Sequence, residues 1–300
     1  MIKKLINILV FFIICTSLLF LNSSNMYIYK SIKTYSYSND WPEILTSSEL
    51  ISIRNLNPKI VILDTGIDFT NPLIKSSNHL SIDISSDKTI DEFHGTEVAG
   101  VIVSQGHDLV GLLPKAYLIS IKLGNEKGWT TSKLAEGLKV AISLKPDVIN
   151  ISSGTSVDDS KVEREIQEAY KNNIVIVAAA GNGSKDFCDY PAAYPNVLSV
   201  GAVDINYSIT QDSNYSNRIK VFAPGEDILT TKVFNDKIST TRFSGTSASA
   251  PFVTCLAAAI KCKYRGIKAS EVMNRIISKS NISYINGHEI KIINYNLALN

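Results

Sequence analysis

The chain has 300 residues, of which 45% are hydrophobic and 19% charged; 30 basic and 28 acidic side chains give a formal net charge of +2. This is globular composition, with length for one large α/β domain or two small ones. The near-balance of charge, without a long basic or acidic block, argues against a nucleic-acid partner.

Lys3 and Lys4 precede an apolar run from Leu5 to Leu21, broken only by Asn7, Thr16 and Ser17. A basic start followed by an apolar core is the pattern of a secretory leader. Asn22-Ser23-Ser24 is a weak substitute for the usual small-residue cleavage site. Residues 1–25 therefore read as a signal peptide or as an uncleaved anchor that attaches the protein to a membrane through residues 5–21. Either reading puts the bulk of the protein outside the cytoplasm. Ile14 before Cys15 argues against lipoprotein processing. Cys255 and Cys262 share a predicted helix, about 10 Å apart along its axis and too far for a disulfide. With Cys188 they read as buried free thiols. No metal-ligand spacing occurs, and no metal or other cofactor is predicted.

Residues 26–50 form a short polar, Ser-rich segment, with a helix predicted around Pro42 to Leu50 and the proline in its first turn. Residues 51–300 read as a single domain. Within it Lys59–Asp64, Tyr117–Leu123, Asp147–Ser152, Ile174–Ala180 and Val197–Val203 are continuous β-branched runs, as expected of strands buried on both faces. Leu134, Leu138, Ala141 and Ile142 form one helical stripe between them; Val162, Ile166, Ala169 and Tyr170 form another. Ser270 is predicted to cap a last helix carrying Val272, Met273, Ile276 and Ile277. Strand–helix alternation predicts an α/β fold of three layers, a mostly parallel central sheet flanked by helices. In such sheets the chemistry gathers at the carboxyl ends of the strands.

Asp64 ends the first strand, beside Thr65-Gly66. His94 lies in Phe93-His94-Gly95-Thr96, a loop entering a helix. Ser247 lies in Gly245-Thr246-Ser247-Ala248-Ser249, before an apolar helix from Phe252 to Ile260. Alone, each has a structural reading: a turn aspartate, a helix-start histidine, an N-cap serine with its hydroxyl exposed. Together they supply what serine chemistry needs. A hydroxyl is a weak nucleophile, imidazole can take its proton, and a carboxylate fixes the imidazole tautomer.

Asp64-Thr65-Gly66-Ile67-Asp68, His94-Gly95-Thr96, Gly181-Asn182 and Gly245-Thr246-Ser247 resemble the four signature segments of the subtilisin-like serine peptidases. The resemblance extends over about residues 55–297 and includes Tyr190-Pro191, Val200–Asp204 and Ala223-Pro224-Gly225. It implies an endopeptidase with Asp64, His94 and Ser247 as triad, acting on a peptide or protein substrate without a cofactor. It also implies that Asn182 donates its amide to the oxyanion, the plain alternative being a turn residue between two glycines. By the same resemblance Ser152-Ser153-Gly154 and Ala180-Gly181 form the walls of the substrate-binding pocket, and Asp189 its floor. The domain is read as a monomer.

Several positions depart from the family pattern. Glu97 replaces a usual histidine outside the triad. Leu73 stands where the family's strong calcium site has an acidic residue, so that site is expected to be weak or missing. The 20–30 residues before the domain are too few for the family's folding prodomain, and folding without one is expected. Asp189 stands where degradative members have a small or neutral residue. A carboxylate at the base of a desolvated pocket wants a cation, so cleavage after Arg or Lys is expected, unless Asp189 turns outward or pairs with Lys185 or Arg218. Narrow basic specificity suits processing, and the chain resembles the peptidases that remove leader peptides from lanthionine-containing bacteriocins. The competing readings are a broad degradative protease, a silent peptide-binding scaffold, and an α/β-hydrolase. The scaffold would have lost a catalytic residue. The hydrolase would order its triad Ser…Asp…His with a second glycine after the serine.

Overall fold

The computed structural model describes residues 37–300 apart from 38–39, 42–43, 75–77, 86–92, 107–108, 126, 235–236 and 286. The apolar leader with Cys15 lies outside the described residues, as do Asp91 and Glu92 just before His94; by sequence their acidic side chains could equally favour a basic substrate neighbour or form a solvated face. Among the described residues no helix is long and apolar enough to cross a membrane.

Five continuous apolar runs become β1 (Lys59–Asp64), β3 (Tyr117–Lys122), β4 (Val148–Ile151), β5 (Val175–Ala179) and β6 (Val197–Val203). They join β2 (His79–Asp83), β7 (Val221–Pro224), β10 (Asn281–Ile285) and β11 (His288–Ile292) in a nine-stranded sheet of order β10-β11-β7-β6-β5-β4-β1-β3-β2. Every pair is parallel except the β10–β11 hairpin. Each residue of β4 to β7 is buried, because helices cover both faces of the sheet. One layer holds α2 (Phe93–Val103) packed on α5 (Thr246–Lys263); the other holds α3 (Thr131–Ser143) packed on α4 (Ser160–Lys171). Helix α5 is buried all round from Thr246 to Ile260 and underlies β4 to β7. A separate antiparallel ribbon, β8 (Ile228–Phe234) with β9 (Lys237–Phe243), packs on α2.

The sheet order sets β5, β4 and β1 side by side. Their carboxyl ends therefore bring together Asp64, the segment starting at Ser152, and the segment starting at Ala180. This juxtaposition is what the parallel topology contributes to the site.

The segment before residue 51 shares the domain's core. Tyr37 is 2% exposed, sets its ring edge-on to Phe252 at 5.4 Å, and donates its hydroxyl to the Leu229 carbonyl at 2.7 Å. Trp41, Ile44 and Leu45 are equally buried, and the Ile44 carbonyl accepts the N–H of Tyr295 at 2.8 Å. Two expected helix starts are corrected. Helix α1 spans Ser47–Ile53, and Ile44 to Thr46 of the expected helix are not helical, because the Thr46 N–H is taken by the Glu49 carboxylate at 3.0 Å; the expected start at Pro42 lies outside the described residues. Helix α6 spans Ala269–Ser278 with Lys268 at its N-cap and Ser270 inside, since the Lys268 N–H donates to Glu271 at 2.8 Å. A short helix α7 (Tyr295–Leu299) follows β11. Cys188, Cys255 and Cys262 are free; the first two are buried and Cys262 is half-buried.

Candidate active site

Asp64 is 1% exposed at the end of β1. Its Oδ1 accepts the Thr65 N–H at 2.7 Å and meets Nδ1 of His94 at 2.8 Å, while its buried Oδ2 has no hydrogen-bond partner among the described residues. The carboxylate is thus held rigidly and directed at the imidazole. His94 is the second residue of α2, and its ring stands edge-on to Phe243 at 5.5 Å. The approach of α2 to β1 depends on Gly95. A Cβ there would lie 2.0 Å from the Gly66 carbonyl oxygen, and the Gly95 N–H donates to Thr65 Oγ1 at 3.1 Å.

Ser247 is the second residue of α5, after Gly245 at φ 101°. The expectation of an exposed hydroxyl is corrected: Ser247 is only 8% exposed, because β4 and α5 are tied together at this point. Its Oγ donates to the Ser152 carbonyl at 2.7 Å, and Ser152 Oγ donates back to the Ser247 carbonyl at 3.0 Å. Pro251 accounts for the second bond. It sits inside α5 without an N–H, so the carbonyl four residues earlier, that of Ser247, loses its helical donor. Asn150 extends the link, donating to Ser152 Oγ at 3.0 Å and accepting from Thr254 at 2.8 Å.

His94, Ser247 and Ser152-Ser153-Gly154 line one cleft of about 340 Å³. Asn182 stands next to it, exposed, on the loop after β5. Its Oδ1 accepts both the Thr246 N–H at 2.8 Å and the Thr246 hydroxyl at 2.9 Å. With the oxygen engaged, the amide NH₂ is the end left to donate.

Asp189, Ala180 and Gly181, expected in the pocket, are not among the residues that line this cleft; Gly154 and Tyr190, next to Asp189, are. Added Cβ atoms would approach the Asp189 side chain to 2.8 Å from Gly154 and 2.1 Å from Gly181. The carboxylate therefore sits between the two predicted walls, and side-chain-free backbone on both sides makes room for it. Among the described residues it has no ion pair with Lys185 or Arg218. Burial raises its pKa above the ordinary aspartate value, and the positive charge of Lys185 opposes that rise.

Residues 56–290 match the Peptidase_S8 family, described as the subtilase family. Subtilisin DY of Bacillus licheniformis is 35% identical over 233 residues, 75% of this chain and 84% of its own. The chain belongs to the subtilase family. The major intracellular serine protease of Bacillus subtilis (strain 168) is 32% identical over 249 residues, covering 76% and 77% of the two chains. Among solved structures, the patellamide maturation protease PatA is 28% identical at a TM-score of 0.70, covering 81% of this chain and 96% of its own. The prenylagaramide maturation protease PagA, at 24% identity and a TM-score of 0.73, shares the fold.

The subtilase is accordingly a serine-type endopeptidase, a hydrolase of peptide or protein substrates. Sequence reasoning missed a second stretch of its cleft, Asn125, Gly128, Trp129, Thr131 and Leu134, and also Tyr190 as a lining residue. One signal was available for that stretch. Thr130 caps α3 by accepting the Lys133 N–H at 3.2 Å, which fixes Trp129 as the last residue of the loop facing the site.

Proposed function

We propose that the subtilase cleaves peptide bonds through Asp64, His94 and Ser247, with Asn182 and the Ser247 N–H as oxyanion donors. The observation that carries this reading is the 2.8 Å contact of His94 Nδ1 with the buried Asp64 carboxylate, in one cleft with Ser247. The carboxylate holds the proton on Nδ1 and leaves Nε2 as the base. Ser247 turns its hydroxyl from the Ser152 carbonyl toward His94 and attacks the scissile carbonyl as His94 takes the proton. The N-terminus of α5 faces the developing negative charge. His94 then protonates the leaving amine, and water releases the acyl group by the same route.

The same reading assigns Asp189 to the residue preceding the cleaved bond and expects Arg or Lys there. Its carboxylate lies between Gly154 and Gly181 and, although the charge of Lys185 is felt there, makes no ion pair among the described residues, which supports a substrate cation in that place. The natural task inferred is the maturation of a precursor peptide, with a bacteriocin leader as candidate. PatA, similar at 28% identity, is by its description a maturation protease. Extracytoplasmic action, by secretion or membrane anchoring, is inferred from the Lys3–Leu21 pattern.

The test is digestion of a peptide library by the full chain, with Ser247→Ala as control. Cleavage after Arg or Lys that vanishes in the control is the expected result. Serine-dependent cleavage after apolar residues would retain the triad and discard the Asp189 pocket. Cleavage undiminished in the control would discard the triad.

A further inference from the structure

Irregular backbone must find hydrogen-bond partners outside helices and sheets. The segment 180–185, which carries Asn182, finds three of its backbone partners in one side chain, beside single bonds to Val200, Asp189, Thr246, Asp212 and Tyr215. Asn214 is 1% exposed. Its Nδ2 donates to the Ala180 carbonyl at 2.9 Å, and its Oδ1 accepts the N–H groups of Gly183 at 3.0 Å and Lys185 at 3.1 Å. Its own N–H donates to the Gly181 carbonyl at 3.0 Å. Asn182 is thus bracketed by bonds to the residues before and after it. A primary amide suits this place, since it combines a donor with an oxygen that accepts twice.

The neighbourhood is tight as well as polar. Gly181 has φ +106°, and a Cβ there would lie 2.4 Å from Asn214 Nδ2. Asn182 to Asp186 are exposed, so this loop buries little that would stabilise the fold. What the four bonds fix is the position of the loop. Thr246 holds the Asn182 side chain from the other direction.

We propose that Asn214 is a positioning residue for peptide hydrolysis, setting the place of the Asn182 amide through the backbone of 180–185. The inference rests on Asn182 being the oxyanion donor. In subtilisin the loss of the matching donor costs about 10²–10³ in turnover, a figure that belongs to the family. A misplacement of about 1 Å can cost ~10²-fold.

The test uses the full chain with Asn214→Asp, which keeps the acceptor oxygen but turns a second oxygen on the Ala180 carbonyl, and with the smaller Asn214→Ser. Turnover is expected to fall about 10- to 100-fold with KM within about twofold. A peptide aldehyde, whose adduct carries the oxyanion, should bind more weakly in proportion. In an Asn182→Ala background the Asn214 changes should cost less than about threefold, because the group they position is gone. A full penalty retained in that background overturns the inference. So does unfolding of both Asn214 variants at the assay temperature, which would make the role structural. Turnover unchanged by Asn182→Ala alone would instead remove the oxyanion reading, and the inference with it.

Discussion

Replacing Asp189 by Asn tests the pocket with little change of shape. In the parent, a substrate cation would meet a carboxylate held between Gly154 and Gly181. Truncating one partner of a desolvated charge pair costs about 2–5 kcal/mol. Asp189 is only half-buried, which places the loss near ~2 kcal/mol, or about 30-fold in kcat/KM for an Arg substrate. A Leu substrate should lose nothing. The pH dependence follows from the raised pKa. Activity on Arg should climb with pH as Asp189 ionises, at a midpoint above the ordinary aspartate range, and that step should vanish in the Asp189→Asn variant. Stability runs the other way. The folded carboxyl holds its proton more tightly than the unfolded one, so the fold loses stability as pH rises through the raised pKa. At neutral pH the free Asp189→Asn enzyme should therefore melt no lower than its parent. Paired Arg and Leu substrates measured across pH decide the matter. An Arg/Leu preference changed less than about threefold by the substitution would refute the reasoning.

Gly95→Ala should cut turnover at least ~10²-fold, because a Cβ 2.0 Å from the Gly66 oxygen forces α2 away from β1 and His94 from Asp64; steady-state kinetics on folded enzyme checks it. Ser152→Ala should cost about 1–3 kcal/mol of stability by leaving the Ser247 carbonyl without a donor. Adding Pro251→Ala should recover part of that loss, since it restores an N–H to the same carbonyl; denaturant melts of the single and double variants read the recovery. Tyr37→Phe should lower stability by ~1–2 kcal/mol through the unpaired Leu229 carbonyl and leave turnover unchanged.

The strands legible in the sequence were those buried on both faces. KIVILD and VLSVGAV are continuous apolar runs because helices cover them above and below. Of the missed strands, β7 (VFAP) is buried throughout but only four residues long and ends in proline, and others lack that mark. HLSID (β2) is an edge strand without a fully buried residue, and ILTTKVF with KISTTRF (β8, β9) is Thr-rich ribbon outside the main sheet. Helix starts were misjudged where a glutamate three residues on decided the cap, at Thr46 and Lys268. Asp64, His94, Ser247 and Asn182 were readable because each sits in a short motif. Asn214 was not, since its value lies in four bonds to a loop some thirty residues earlier, and a single asparagine in Ser213-Asn214-Tyr215 carries no pattern for them.

The tie between Tyr37 and Leu229 joins residues 192 positions apart, and Ile44 waits for Tyr295. Such closures are late events, since a long loop must be ordered before either bond forms. During synthesis this corner of the molecule stays open until residues near Tyr295 have left the ribosome. Chains stalled at residue 290 should accordingly be digested by an added protease, whereas chains that include Tyr295 and residues up to 300 resist it; equal resistance would show that closure does not wait for Tyr295.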